Sequence, residues 1–206
     1  MSTFRGEDQC THKMKIIIAT DIFGIGEHIE ELYNELRGVC KSMEIISPYS
    51  EKKMGFASEE EAYKYFLSKC GHVCFSNLVS KAIQSTSEQV FLIGFSAGAS
   101  AIWHAIGTNK YSTLIKFYGF YPSQIRNHLD LSPSCKSTIV FPSSEKDFHV
   151  QAVLEEISKN KKVECEVTNL SHGFMNPQSK NYSPEAEKTF NKRLKNDALR
   201  VASGAF

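Results

Sequence analysis

"VFLIGFSAGASAIWHA", Val90 to Ala105, joins a short apolar run to a serine between two glycines and then to a helix-forming stretch of small residues. Val90–Ile93 is apolar at every position, as expected of a strand covered on both faces. Gly94-Phe95-Ser96-Ala97-Gly98 then turns that strand straight into a helix. Two readings fit a hydroxyl here. Ser96 is a nucleophile on a strained turn, or the glycines only let a helix lie close to a sheet. The stretch alone leaves both open.

Apolar runs of the same kind recur along the chain: "MKIIIAT" (14–20), "MEIIS" (43–47), "QVFLIG" (89–94), "TLIKFYG" (113–119), "STIVFP" (137–142) and "KVECEV" (162–167). Amphipathic stretches lie between them. Ile29, Leu32, Tyr33 and Leu36 fall on one helical stripe; so do Leu78, Val79, Ala82 and Ile83, and Val150, Val153, Leu154 and Ile157. Ser58 with Glu61 reads as a capping box. Ser183-Pro184-Glu185 reads as an N-cap, a first-turn proline and a first-turn acid. The alternation predicts a three-layer α/β domain with a mainly parallel sheet of about six or seven strands and helices on both faces. The expected limits are a disordered leader at 1–13, one domain over 14–200 and a frayed tail at 201–206.

The composition narrows the function classes. A chain of 206 residues, 41% hydrophobic and 23% charged, is that of an ordinary soluble globular protein. A formal charge of +1 gives no reason to expect nucleic acid or an anionic membrane as partner. No apolar run approaches membrane-spanning length, and "MSTFRGEDQCTHK" lacks the apolar core of a secretory signal. The expected location is therefore cytoplasmic, with the six cysteines reduced. Cys70, His72 and Cys74 are soft ligands, but no second Cys/His pair completes a zinc set. Neither a metal nor an organic cofactor is expected.

Ligands of such sheets sit at the C-terminal ends of strands. Read there, the third run ends at Ser96, the fifth at "SSEKD", with Glu145 and Asp147, and the sixth at "NLSHGF", with His172. Serine, acid and histidine thus come in α/β-hydrolase order. A serine hydroxyl attacks a carbonyl only when a base takes its proton, and a carboxylate holds that base in the right tautomer. The Ala97 N–H, at a helix start, is one candidate oxyanion donor. The Ile22 N–H, just past the first strand, is the other. His104 inside the following helix reads as packed, and His149 as a pocket or surface residue.

Four segments in this order, "DIFGIGEHIEEL" (21–32), "GFSAGA" (94–99), "EKDFHV" (145–150) and "HGFMNP" (172–177), closely resemble the dienelactone hydrolase family of α/β-hydrolases. The resemblance runs from about Met14 to Leu194. It implies Ser96 as nucleophile, His172 as base and Asp147 as acid, with Ile22 and Ala97 as backbone oxyanion donors. Asp147 is preferred to Glu145 because it is shorter and matches the family's position. The family often carries an acid where Asp21 stands. Asp21, Phe23, Tyr118, Tyr121, Arg126, Phe174 and Asn176 are the expected substrate-binding residues.

Two departures shape the expected substrate. The archetype's nucleophile is a cysteine, and this chain has Ser96. The archetype also holds a substrate carboxylate with arginines, one of them four residues after the histidine, where this chain has Asn176. "SEEEAYKYF" (58–66) has none either, and Arg126 is the arginine placed to substitute. The expectation is a small serine esterase without a lid domain, acting on an ester, lactone or thioester as monomer or homodimer. The rival reading is a non-catalytic scaffold that binds a small molecule or a protein.

Overall fold

Ile16, Ile17 and Ile18 of β1 (Met14–Ala19) are all fully buried, yet they enter two different cores. Successive strand residues point to opposite faces, so an unbroken apolar run needs cover on both sides of the sheet. The chain, seen in a computed structural model that describes residues 14–50 and 54–205, supplies that cover. Its other strands are β2 (Ser42–Ile46), β3 (Gln89–Phe95), β4 (Leu114–Phe120), β5 (Lys136–Phe141) and β6 (Val163–Val167). They form one six-stranded parallel sheet in the order β2-β1-β3-β4-β5-β6. The strand ends lie within a residue or so of the apolar runs that predicted them.

On one face, Ile29, Leu32 and Leu36 of α1 (Glu27–Leu36) join Phe190 and Leu194 of α6 (Pro184–Ala202) over Ile16, Ile18, Phe91 and Ile93. The other face is covered by α2 (Glu59–Lys69), α3 (Gly71–Gln84), α4 (Ala97–Thr108) and α5 (Val150–Ile157), over Ile17, Leu92 and Phe117. Each large apolar side chain so buried stabilises the fold by about 1.5–3 kcal/mol before chain entropy is charged against it. The expected caps are present: Ser58 Oγ accepts from the Glu61 N–H at 3.1 Å, and Ser183 Oγ from the Ala186 N–H at 3.3 Å. Glu61 reaches back to the Ala57 N–H, one residue before the reciprocal partner of a capping box.

The expected tail begins too early. α6 continues to Ala202 and buries Val201 against the α1 side of the sheet. The predicted leader, 1–13, lies outside the described residues. No helix among the described residues is long and apolar enough to cross a membrane.

Strand order reverses between β1 and β3, which pair directly although β2 intervenes in sequence. Loops leaving two such strands separate to opposite sides and open a crevice at the sheet edge. The loop after β1 carries Asp21 and Ile22, and that after β3 carries Ser96. Among the described residues, no inserted domain stands over this edge.

Candidate active site

Ser96 sits at φ 47°, ψ −111°, between the last residue of β3 and the first of α4. This is the left-handed region that side chains avoid, and holding a residue there costs on the order of 1–3 kcal/mol. The surroundings impose it. The Ser96 N–H donates to the Phe120 carbonyl at 2.9 Å, while its own carbonyl already accepts from the Ser100 N–H at 3.0 Å. The flanking glycines allow α4 to descend onto the sheet. A Cβ on Gly94 would come within 2.6 Å of Ala99 Cα, and one on Gly98 within 2.3 Å of the Thr20 carbonyl oxygen. Both glycines are thus sterically required, and so is the sharp turn they flank.

Ser96 Oγ stands 2.9 Å from His172 Nε2. The other ring nitrogen, Nδ1, stands 2.8 Å from Glu145 Oε1. An ionised carboxylate only accepts, so Nδ1 carries the proton toward Glu145 and Nε2 is left to accept from the serine. The residue expected at this place, Asp147, is elsewhere. Its side chain is 62% exposed, and its Oδ2 lies 3.6 Å from Arg126 Nη2.

The reason for this correction lies in how two loops are stitched together. Past β5, the Ser143 N–H donates to the Leu170 carbonyl at 2.8 Å, and the Ser143 hydroxyl donates to the same oxygen. Two residues beyond each anchor stand Glu145 and His172. Glutamate has the length to span the remaining gap, whereas Asp147 lies further along and has already turned outward. The Glu145 side chain is only 9% exposed.

His172 is itself held firmly. Its carbonyl accepts from Asn181 Nδ2 at 2.9 Å. Gly173 comes next at φ 82°, where a Cβ would strike Ser179 Oγ at 2.5 Å. The Tyr121 ring packs on the imidazole with centroids 4.9 Å apart. Tyr121 is at φ 40°; it and Ser96 are the two non-glycine residues of positive φ among those described. Both instances of backbone strain thus adjoin the same imidazole.

The loop after β1 forms the facing wall. Asp21 is 4% exposed; its Oδ1 accepts from the Phe23 N–H at 2.9 Å and its Oδ2 from Asn176 Nδ2 at 2.6 Å. Burial pushes the Asp21 carboxyl up to about 6, against the opposing pull of those two hydrogen bonds. The Tyr49 hydroxyl donates to the Ile22 carbonyl at 2.6 Å and fixes the loop from behind. Ala97, as the first residue of α4, has an N–H with no carbonyl to bond within its own helix.

Asp21, Ile22, Phe23, Ser96, Tyr121, His172 and Asn176 therefore meet around one cleft. Three expected substrate-binding residues do not. Tyr118 lies within β4, pointing to the α6 face, where its hydroxyl donates to Asp197 Oδ2 at 2.7 Å. Phe174 is fully buried between the rings of Tyr121 and Phe190. Arg126 donates to the Ser123 carbonyl at 2.5 Å, pairs with Asp147 and stacks over Phe148. Conversely, Glu59 lines the cleft although the sequence shows it only as one of three acids starting α2. His104 is packed as expected, 2.9 Å from Ser76 Oγ, and His149 is exposed at the start of α5.

A parallel sheet covered on both faces, with a strained serine on the strand-to-helix turn at its switch point, defines an α/β-hydrolase. The Dienelactone hydrolase family profile matches residues 2–197, and the chain belongs to that family, as a hydrolase acting on ester bonds. The uncharacterized protein YczH of Bacillus subtilis (strain 168) is 25% identical over 176 residues, 81% of this chain and 83% of YczH. Among solved structures, the fold resembles that of P91, a dienelactone hydrolase-like promiscuous phosphotriesterase from metagenomic libraries. That likeness has a TM-score of 0.65 at 14% identity over 91% of this chain and 86% of P91. Mouse alpha/beta hydrolase domain-containing protein 10 is similar with a TM-score of 0.63 at 10% identity, covering 91% and 90% of the two chains.

Proposed function

We propose that the chain is a serine carboxylesterase or lactonase that cleaves a small ester, lactone or thioester through an acyl-enzyme on Ser96. The single observation that carries this reading is the unbroken relay from Ser96 Oγ through His172 to Glu145, at 2.9 and 2.8 Å. In the first half-reaction His172 Nε2 takes the serine proton as Oγ adds to the carbonyl carbon. The imidazolium so formed is stabilised by Glu145, which accepts from Nδ1 without taking the proton. The N–H groups of Ile22 and Ala97 receive the developing oxyanion, and loss of one such donor typically costs about 3–4 kcal/mol of transition-state stabilisation.

Collapse of the tetrahedral intermediate expels the alcohol or thiol, protonated by the imidazolium. Water then enters, gives its proton to Nε2 and attacks the acyl carbon; the second collapse returns the proton to Ser96 Oγ and releases the acid. Asp21 and Asn176 act on the geometry, since their hydrogen bonds hold the turn that presents the Ile22 N–H. A chain serving only as a scaffold has no need to keep a serine in a strained turn against a half-buried histidine–carboxylate pair. The test is labelling by a fluorophosphonate probe together with turnover of short-chain p-nitrophenyl esters. Wild type is expected to label and turn over, and Ser96→Ala to do neither; an unlabelled, inert wild type contradicts the proposal.

A further inference from the structure

Two acidic residues line the cleft at Ser96. Asp21 and Glu59 both line the cleft that holds Ser96 and His172, and the described residues lining it include neither lysine nor arginine. The two acids come from different parts of the chain, Asp21 from the loop after β1 and Glu59 from the start of α2. Burial is the main cause of the raised Asp21 carboxyl; the hydrogen bonds from Asn176 and Phe23 and the charge of His172 oppose it, and the charge of Glu59 adds the smallest contribution. Asp21, pushed up to about 6, is mostly ionised above neutrality. Glu59 is exposed at the mouth, as the first residue of the helix it begins.

The neighbouring charges do not cancel this pair. Glu60 is held by Lys64 at 2.6 Å and Glu61 by the Ala57 N–H. Arg126, the arginine that the sequence offers for a substrate carboxylate, is turned toward Asp147 and the Ser123 carbonyl.

We propose that the cleft is cation-selecting: it prefers esters whose acyl chain carries an ammonium group and rejects those bearing a carboxylate, with Glu59 as the specificity-determining residue. The proposal rests on the Ser96 hydrolase reading and names its substrate class. An ammonium at the mouth beside the exposed Glu59 gains attraction from it and a longer-range contribution from the buried Asp21, and a carboxylate there is repelled by both.

The experiment compares three p-nitrophenyl esters of matched shape: γ-trimethylammonio-butyrate, its isostere with carbon in place of nitrogen, and the hemiglutarate. The readout is the cation-to-carboxylate ratio of kcat/KM on one preparation, so that the folded fraction cancels. Wild type should favour the cation, with the neutral isostere between. Glu59→Gln should compress the ratio by roughly fivefold to tenfold, since removing one solvent-accessible charge changes the attraction of the cation and the repulsion of the carboxylate together. Glu59→Lys should compress it further, and Glu60→Gln should leave it unchanged. A wild type that favours the carboxylate, or a ratio moved less than about twofold by Glu59→Gln, overturns the proposal while Ser96-dependent turnover leaves the hydrolase reading standing. Absence of Ser96-dependent turnover of all three esters overturns both.

Discussion

The turn that carries Ser96 and the loop that carries Glu145 feed the same histidine, but different forces shape them. At the elbow, backbone meets backbone: Gly94 and Gly98 have no room for a Cβ, and the Ser96 N–H is bonded to the neighbouring strand. In the acid loop the backbone is anchored at Ser143, and side-chain length decides which acid reaches the imidazole. Where backbone packing sets the position, the residue type announces the geometry. Where reach sets it, two acids in one loop look alike until the anchors are known.

The contrast can be pressed first at the elbow. Ser96→Ala is expected to lower kcat on any ester substrate by about 10⁵-fold or more, because the proposed oxyanion donors and binding alone would retain only a small part of the rate. Rapid-quench or stopped-flow detection of an acyl-enzyme burst checks it, with the burst present in wild type and lost in the variant.

Gly98→Ala attacks the packing that creates the elbow. The added methyl meets two backbone carbonyls of the β1 end, neither of which is a flexible side chain. The expected loss is about 3 kcal/mol in urea unfolding, with activity falling along with stability. A variant as stable as wild type would show that α4 does not depend on this contact.

A smaller effect separates the wall of the site from its neighbour on α1. Burial raises Asp21 from 3.8 to about 6, so the folded chain holds that proton more tightly than the unfolded chain. Its contribution to stability is full below the unfolded value and is lost as pH rises through about 6. Burial lowers His28 from 6.5 to about 4, so the folded chain excludes that proton; its contribution is present above the unfolded value and lost as pH falls through about 4. The two windows oppose each other between roughly pH 4 and 6. Relative to wild type, His28→Gln should lose about 2–3 kcal/mol of stability as pH rises across this range, and Asp21→Asn should gain a similar amount. Denaturant midpoints at the two ends of the range give the signs, and two variants with the same sign would refute this linkage.

Much of the site was legible in the chain itself. Apolar runs with both faces buried predict the strands, and the order serine, acid, histidine at their ends predicts the site. Asp21, Ile22 and Phe23 were legible because they follow the first predicted strand and lie in a segment that resembles the family. Tyr118 and Tyr121 were not distinguished: they lie three residues apart, but one sits inside β4 facing α6 while the other turns beyond its end at φ 40°. Arg126 has a partner, Asp147, whose pairing with it no spacing reveals. Glu59 reaches the cleft only through the tertiary placement of α2. The acid of the relay was the hardest, because resemblance favours Asp147 and the stitched loops favour Glu145.

That assignment stands or falls on kcat/KM of Glu145→Gln measured beside Asp147→Asn. A loss of about 10²–10⁴-fold is expected for Glu145→Gln, as when a histidine loses its orienting carboxylate, and less than about threefold for Asp147→Asn. The reverse order, with Asp147→Asn crippled and Glu145→Gln close to wild type, would contradict it.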